Sequence, residues 1–304
     1  MSHLSYVLIT PARNEQAHIE KTIQSMIAQT VPPAKWVIVD DGSSDSTAEI
    51  VSKYLDSYTW IELVQLPKHR QRSFAGKVYA FNAGLERAKG CEYEIVGNLD
   101  ADLSFDEQYC EFLIAKFEED PDLGVAGTIF EENGYSSATD SFEGQNHVAG
   151  GCQLFRRECF AEIGGYVPNK AGGIDWIAVT TARMMGWRTR SFREKSFFHH
   201  RSLGTAERGL LASTFSYGEK DYYLGGHPLW ELCRVGYRMT KKPYLLDGTA
   251  LCLGYLCALL RRMERPVSNE LMKFHRREQM LKLRVIMRSL FRLKHIDSFE
   301  VTPS

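Results

Sequence analysis

Ile95-Val96-Gly97-Asn98-Leu99-Asp100-Ala101-Asp102 reads as a strand, apolar on both faces, that stops on two acids one residue apart. If strand geometry continues through them, both acids point to the same side. Two converging carboxylates repel unless a cation sits between them, and oxygen ligands suit Mg2+ or Mn2+. A solvated acidic turn is the alternative reading of the same residues.

Working outward from this stretch, similar Val/Ile/Leu-rich runs stand at Tyr6–Thr10, Trp36–Asp40, Ile61–Leu66, Glu94–Leu99 and Val125–Phe130. Amphipathic stretches separate them: Ala17–Ala28, Thr47–Tyr58, Lys77–Ala88 and Phe105–Glu118. Ser104 and Glu107 have capping-box spacing before the last of these. This order predicts an α/β fold with a mostly parallel sheet, helices on both faces, and ligands at the carboxyl ends of the strands.

Composition sets bounds. The chain has 304 residues, 44% hydrophobic and 25% charged, as packed globular proteins do. A net charge of −1 gives no reason to expect a nucleic-acid partner. The seven cysteines form no C-x-x-C pair, so reduced thiols in a cytosol are expected. The start lacks a basic segment followed by a long apolar one, so no signal peptide is expected. The character changes near residue 205. The division expected is a catalytic domain over 1–204 and a helical, basic segment over 205–304.

Other constellations sit where the predicted strands end. Pro11-Ala12-Arg13-Asn14-Glu15 follows the first strand, and Arg13 offers a planar fork to a phosphate or a face to a base. Val39-Asp40-Asp41-Gly42-Ser43-Ser44-Asp45 ends the second strand. Helix capping accounts for Ser44 and Asp45 but not for two adjacent acids. Asp175, in Gly172-Gly173-Ile174-Asp175-Trp176, opens a helical run. It fits either a helix N-terminus that favours negative charge or a general base. His199 and His200 are adjacent, and on a strand they point opposite ways, so at most one faces a metal. The Gly/Ser/Asn/Glu-rich residues 131–150 read as a lid.

Taken in order, these motifs resemble the family 2 glycosyltransferases with the GT-A fold. The resemblance rests on Pro11–Glu15, Val39–Thr47, Gly76-Lys77 with Asn82-Ala83-Gly84, Asp100-Ala101-Asp102, Gly164-Gly165-Tyr166 and Asp175. It covers about two-thirds of the chain and implies a Rossmann-like GT-A domain with a helical C-terminal segment. It further implies inverting transfer from a nucleoside diphosphate sugar to a glycan or lipid-linked acceptor, assisted by Mn2+ or Mg2+. Donor contacts are implied for Pro11, Ala12, Arg13, Glu15, Asp40, Asp41, Lys77, Asp100 and Ala101. The metal is implied at Asp102 and Asp100, with His199 or His200, and Asp175 matches the catalytic base. Arg13 stands where the family often has an aromatic residue, and Ile174 where the Glu of its Glu-Asp pair is usual. No Gln-x-x-Arg-Trp motif is evident, which argues against a processive synthase of the cellulose or chitin type. A sugar nucleotidyltransferase would want a glycine-rich loop after the first strand, and Pro11–Glu15 is not one.

In the C-terminal third, Leu245–Leu260 is apolar apart from Asp247. It is short of the roughly twenty residues that cross a bilayer, so a buried or an interfacial helix is expected. Residues 261–295 carry eleven Lys/Arg against three Glu. Such a run suits peripheral contact with anionic membrane at the inner face of the cytoplasmic membrane, or is a solvated basic face.

Overall fold

The structure is a computed structural model that describes residues 4–67, 74–132, 135–140, 144–169, 172–201 and 209–292. It divides into two compact units, Met1–Lys170 with Ile174–Arg201, and Ala171–Gly173 with Ser202–Ser304.

The first unit begins with the alternation expected: β1 (Tyr6–Ala12), α1 (Ile19–Ile27), β2 (Lys35–Asp40), α2 (Thr47–Leu55), β3 (Ile61–Gln65), α3 (Phe74–Ala88) and β4 (Ile95–Leu99). β1 pairs in parallel with both β2 and β4, and β2 with β3. β1, β2 and β4 are mostly apolar because both of their faces are covered. Tyr6, Leu8, Trp36 and Ile38 join a core containing Ile19, Ile23 and Met26 of α1. Val7, Ile9, Val37 and Val39 join another containing Val78, Ala80 and Phe81 of α3.

Next come β5 (Leu103–Ser104), α4 (Tyr109–Glu119), β6 (Leu123–Glu132), β7 (Tyr135–Ser136), α5 (Ser137–Asp140), β8 (Cys152–Arg156), α6 (Arg157–Glu162), α7 (Ile174–Met184) and β9 (Arg188–His199). The sheet runs β3-β2-β1-β4-β8-β6-β9-β5, with β7 hydrogen-bonded to β6. β6 and β9 are parallel, but β8 runs against both β4 and β6, and β5 against β9. The sheet is therefore mixed, with its parallel part centred on β1 and β2. Part of the expected lid is regular structure, since β7 and α5 lie within it; residues 133–134 and 141–143 are outside the described residues. The capping box does not form. α4 starts at Tyr109 with no side-chain cap, and Asp106 Oδ1 accepts the Gln108 N–H instead, at 2.9 Å. All seven cysteines are free thiols.

The second unit is helical: α8 (Leu210–Tyr223), α9 (Pro228–Met239), α10 (Leu246–Leu260) and α11 (Asn269–Arg292). α9 opens with Pro228 in its first turn, where no backbone donor is missed, and His227 Nδ1 caps it by accepting the Leu229 N–H. Among the described residues no helix is long and apolar enough to cross a membrane.

Candidate metal and donor site

The carboxyl ends of β1, β2 and β4 are side by side, which fixes where their loops meet. Pro11 and Ala12 are the last residues of β1, in register with Val39 and Asp40. Asn14 takes a left-handed φ of 55° and joins the two loops: its N–H donates to Ser43 Oγ at 2.9 Å, and its Oδ1 accepts the Ser44 N–H at 2.8 Å. The paired acids after β2 part company. Asp40 is buried and accepts the Ser43 N–H at 2.9 Å, holding its own turn. Asp41 donates its N–H to Ala12 O, and its Oδ2 is 3.8 Å from Arg13 Nη1. Arg13 and Asp41 thus form a polar edge beside the site.

At the end of β4, Asp100 Oδ1 accepts from Lys77 Nζ at 2.5 Å and from Asn98 Nδ2 at 3.0 Å. Ala101 is buried, which keeps the strand end in place between its two acids. Asp102 is also buried; its Oδ1 is 3.5 Å from His199 Nε2 and its Oδ2 is 3.8 Å from Arg201 Nε. Burial and then the charge of Asp100 raise the Asp102 pKa above the usual carboxylate value, against the pull of His199, Arg201 and Lys77. Lys77 moves the other way from a typical buried amine. Burial opposes its charge, but Asp100 first, then Asp175 and Asp102, raise its pKa.

The two histidines separate as strand alternation requires. His199 is buried, and its Nδ1 meets Arg201 O, leaving Nε2 toward Asp102. His200 turns away: its Nε2 is 2.9 Å from Ser104 Oγ and its ring stacks on His18, 5.9 Å between centroids. Asp100, Asp102 and His199 can each present a ligand atom such that all three lie within 4.8 Å of one another. Two carboxylates and an imidazole, with the proton affinity of Asp102 raised by burial and then by its like-charged neighbour, fit a divalent ion. His200 is not in that group.

Asp175 lies in the first turn of α7. It closes the site from another side: a Cβ on Gly150 would stand 2.8 Å from Asp175 Oδ2, and Gly150 O accepts Asn98 Nδ2 at 2.8 Å. Its charge reaches Lys77. Glu15 is tied down elsewhere, its Oε2 accepting from Arg201 Nη2 at 2.5 Å. Arg201, Asn98 and Gly150 are the residues sequence reasoning passed over. Arg201 follows the two histidines directly, and it engages both Asp102 and, 186 residues away in the chain, Glu15.

A mixed α/β sheet with acids gathered at its strand ends, followed by a helical C-terminal region, is the GT-A class of glycosyltransferase fold. The mannosyltransferase PcManGT of Pyrobaculum calidifontis, solved with GDP-Man and Mn2+, superposes with a TM-score of 0.61 at 18% identity over 86% of this chain and 89% of that one. Residues 1–349 of Staphylococcus aureus TarS, solved with UDP-GlcNAc, give a TM-score of 0.55 at 15% identity over 86% of this chain and 74% of that one. In sequence, residues 7–147 match the family Glycosyl transferase family 2. The poly-beta-1,6-N-acetyl-D-glucosamine synthase of Staphylococcus aureus strain COL is 35% identical over 112 residues, 37% of this chain and 25% of that one. The synthase of the same name from Staphylococcus epidermidis is 33% identical over the same shares. The chain spans about a quarter of the length of these relatives.

Proposed function

We propose that the protein is an inverting glycosyltransferase that moves a sugar from a nucleoside diphosphate sugar to a hydroxyl of a glycan or lipid-linked acceptor. The observation that carries this reading is the grouping of Asp100, Asp102 and His199 within 4.8 Å, with Lys77 bonded to Asp100 and Asp175 in electrostatic reach. A dication there would neutralise the diphosphate as it departs. Asp102, Asp100 and His199 would hold it. The Arg13–Asp41 edge, with Pro11 and Ala12 behind it, would take the nucleoside, and Lys77 would give its positive charge to the phosphates. Asp175 would accept the proton of the acceptor hydroxyl while that oxygen bonds to the anomeric carbon and the bond to the diphosphate breaks on the opposite side. Glu15 would act on this site through Arg201, and Asp40 by shaping the turn that presents Asp41.

UDP is the favoured nucleotide, because TarS is solved with UDP-GlcNAc and the curated relatives are named as N-acetylglucosamine polymer synthases. The GDP-Man complex of PcManGT keeps a GDP-sugar in the screen. The expected place of work is the inner face of the cytoplasmic membrane. A polyprenyl-phosphate sugar transferase is the nearest alternative in acceptor. A non-catalytic sugar-nucleotide-binding scaffold is the alternative of another class.

The test is release of nucleoside diphosphate from UDP- and GDP-sugars in the presence of Mn2+, with and without lipid acceptors. Turnover that disappears in Asp102→Ala supports the enzyme. Tight nucleotide-sugar binding without turnover under every condition would overturn it in favour of the scaffold.

A further inference from the structure

Helix α10 is apolar on its solvent side as well as on its inner side. Its solvent side shows Leu246, Thr249, Leu253, Leu256 and Leu260, spaced by three or four residues and so aligned as one stripe. Leu260 is 82% exposed and Leu253 53%. Its inner side is Asp247, Gly248, Leu251, Gly254, Tyr255 and Ala258. A helix packed on a water-soluble protein carries polar residues on its outer side.

Packing explains the inner side. A Cβ on Gly254 would lie 2.0 Å from Phe215 O of α8, and one on Gly218 of α8 would lie 2.0 Å from Leu251 O. Gly248 lies against α9, with Val235 O at 2.6 Å from the added carbon. At these glycines backbone meets backbone, and Leu251 and Tyr255 fill the rest of the inner side. Asp247, the one acid of the run, turns inward and is satisfied: it accepts from Thr214 Oγ1 at 2.6 Å and from Arg238 Nη1 at 2.9 Å. The outer stripe is left without charge.

Cations bracket the stripe. Lys241 and Lys242 precede it and Arg261 and Arg262 follow it, all exposed. Arg261 Nη1 is 3.9 Å from Glu219 Oε1. Lys241 lies over the Tyr237 ring, 4.9 Å from its centroid. In the same unit, α11 shows Lys273, Arg277, Arg284 and Arg288 along one exposed side. An apolar protein partner would have no use for charge at both ends of a leucine stripe, whereas anionic headgroups would. The helix is about 22 Å long, too short to span the hydrocarbon core and suited to lying in its boundary.

We propose that α10 docks the protein on an anionic phospholipid bilayer. Leu246, Leu253, Leu256 and Leu260 enter the acyl boundary, and Lys241, Lys242, Arg261 and Arg262 meet the headgroups. The anchor is thus the leucine stripe, with the basic residues as its electrostatic complement.

Flotation of the full chain with phosphatidylglycerol–phosphatidylcholine vesicles tests this, with pure phosphatidylcholine vesicles alongside. The wild type should float with the anionic vesicles and far less with the neutral ones. The variant L253Q/L256Q/L260Q changes only exposed side chains; it should keep the circular-dichroism spectrum and lose on the order of a hundredfold in partitioning. K241Q/K242Q/R261Q/R262Q should weaken binding and flatten its salt dependence. Equal flotation of the leucine variant and the wild type overturns the proposal. So does a wild type that ignores vesicles but is a dimer in buffer, with the leucine variant a monomer, because a second copy would then cover the stripe. Leu256→Trp gives an independent reading: its fluorescence should shift to the blue on anionic vesicles, and an unchanged spectrum counts against insertion.

Discussion

Asp100 has Lys77 at 2.5 Å and Asn98 at 3.0 Å, whereas Asp102 has His199 at 3.5 Å and Arg201 at 3.8 Å. The second acid is also the more buried, and that burial, then the charge of Asp100, raises its pKa. Asp102 should therefore be the residue whose loss removes metal dependence. In Asp102→Asn, turnover of a nucleotide sugar should fall by about a hundredfold or more and cease to respond to Mn2+. Because Asp102 holds its proton above the usual carboxylate range, Mn2+ affinity should weaken on acidification sooner than for an ordinary aspartate. A Mn2+ titration at several pH values reads this, and a pH-independent affinity would contradict it. For Asp175, a base in the proposed transfer, Asp175→Asn should leave the donor Kd unchanged and lower kcat by about 10²–10⁴. Gly150→Ala is a subtler probe of the same carboxylate. The added Cβ would press on Asp175 at 2.8 Å, so kcat should drop while donor binding holds. Much of this site was legible, because acids that close apolar strands have few structural excuses. The pairing of Glu15 with Arg201 was not, since it joins residues 186 positions apart. His200 was offered with His199 because only the pairing of β5 with β9 decides which ring faces Asp102.

β1, β2 and β4 were readable because strands buried on both faces are mostly apolar. β9 was not read as a strand over its full length. Arg188-Thr189-Arg190-Ser191-Phe192-Arg193-Glu194-Lys195 carries charge at five of its eight positions, and Arg188, Arg193 and Glu194 are exposed. β8 is five residues long and owes its place to Gln153, whose Nε2 donates to Val148 O at 2.7 Å and whose Oε1 accepts from Tyr166 Oη at 2.8 Å. A buried glutamine inside a strand gives no periodic signal. The four C-terminal helices hide a similar polar element. Glu231 of α9 is 5% exposed, and burial, then the neighbouring Asp221, raise its pKa to about 8 against the opposing charge of Arg234. The folded chain holds this proton more tightly than the unfolded one, so the stabilising contribution is complete below the ordinary glutamate value of 4.5 and is lost as pH rises to about 8. Melting temperature should accordingly fall across that window. Glu231→Gln, which cannot ionise, should flatten the fall. Parallel pH profiles of the two proteins would refute the assignment.

At the scale of the molecule, each compact unit has its own buried set. In the second, Tyr222, Trp230, Val235, Leu251, Tyr255 and Leu271 are all below 9% exposed. The acids and cations of the candidate site all belong to the first unit: Asp41, Lys77, Asp100, Asp102, Asp175, His199 and Arg201 fall within Met1–Lys170 and Ile174–Arg201. The division proposed from sequence, near residue 205, then has a thermodynamic consequence. A ligand stabilises only what it binds, and two units that unfold separately give two calorimetric transitions. Mn2+ with UDP at about a hundred times Kd adds about 2.7 kcal/mol to the state that binds it. For a unit of this size that corresponds to a rise of roughly 5–10 °C in its midpoint. One transition should move by this amount and the other should stay. In Asp102→Asn the Mn2+-dependent part of the shift should vanish, with both transitions otherwise in place. A single transition that moves as a whole would show that the two units fold as one. Two transitions that ignore Mn2+ and UDP alike would remove the donor site itself.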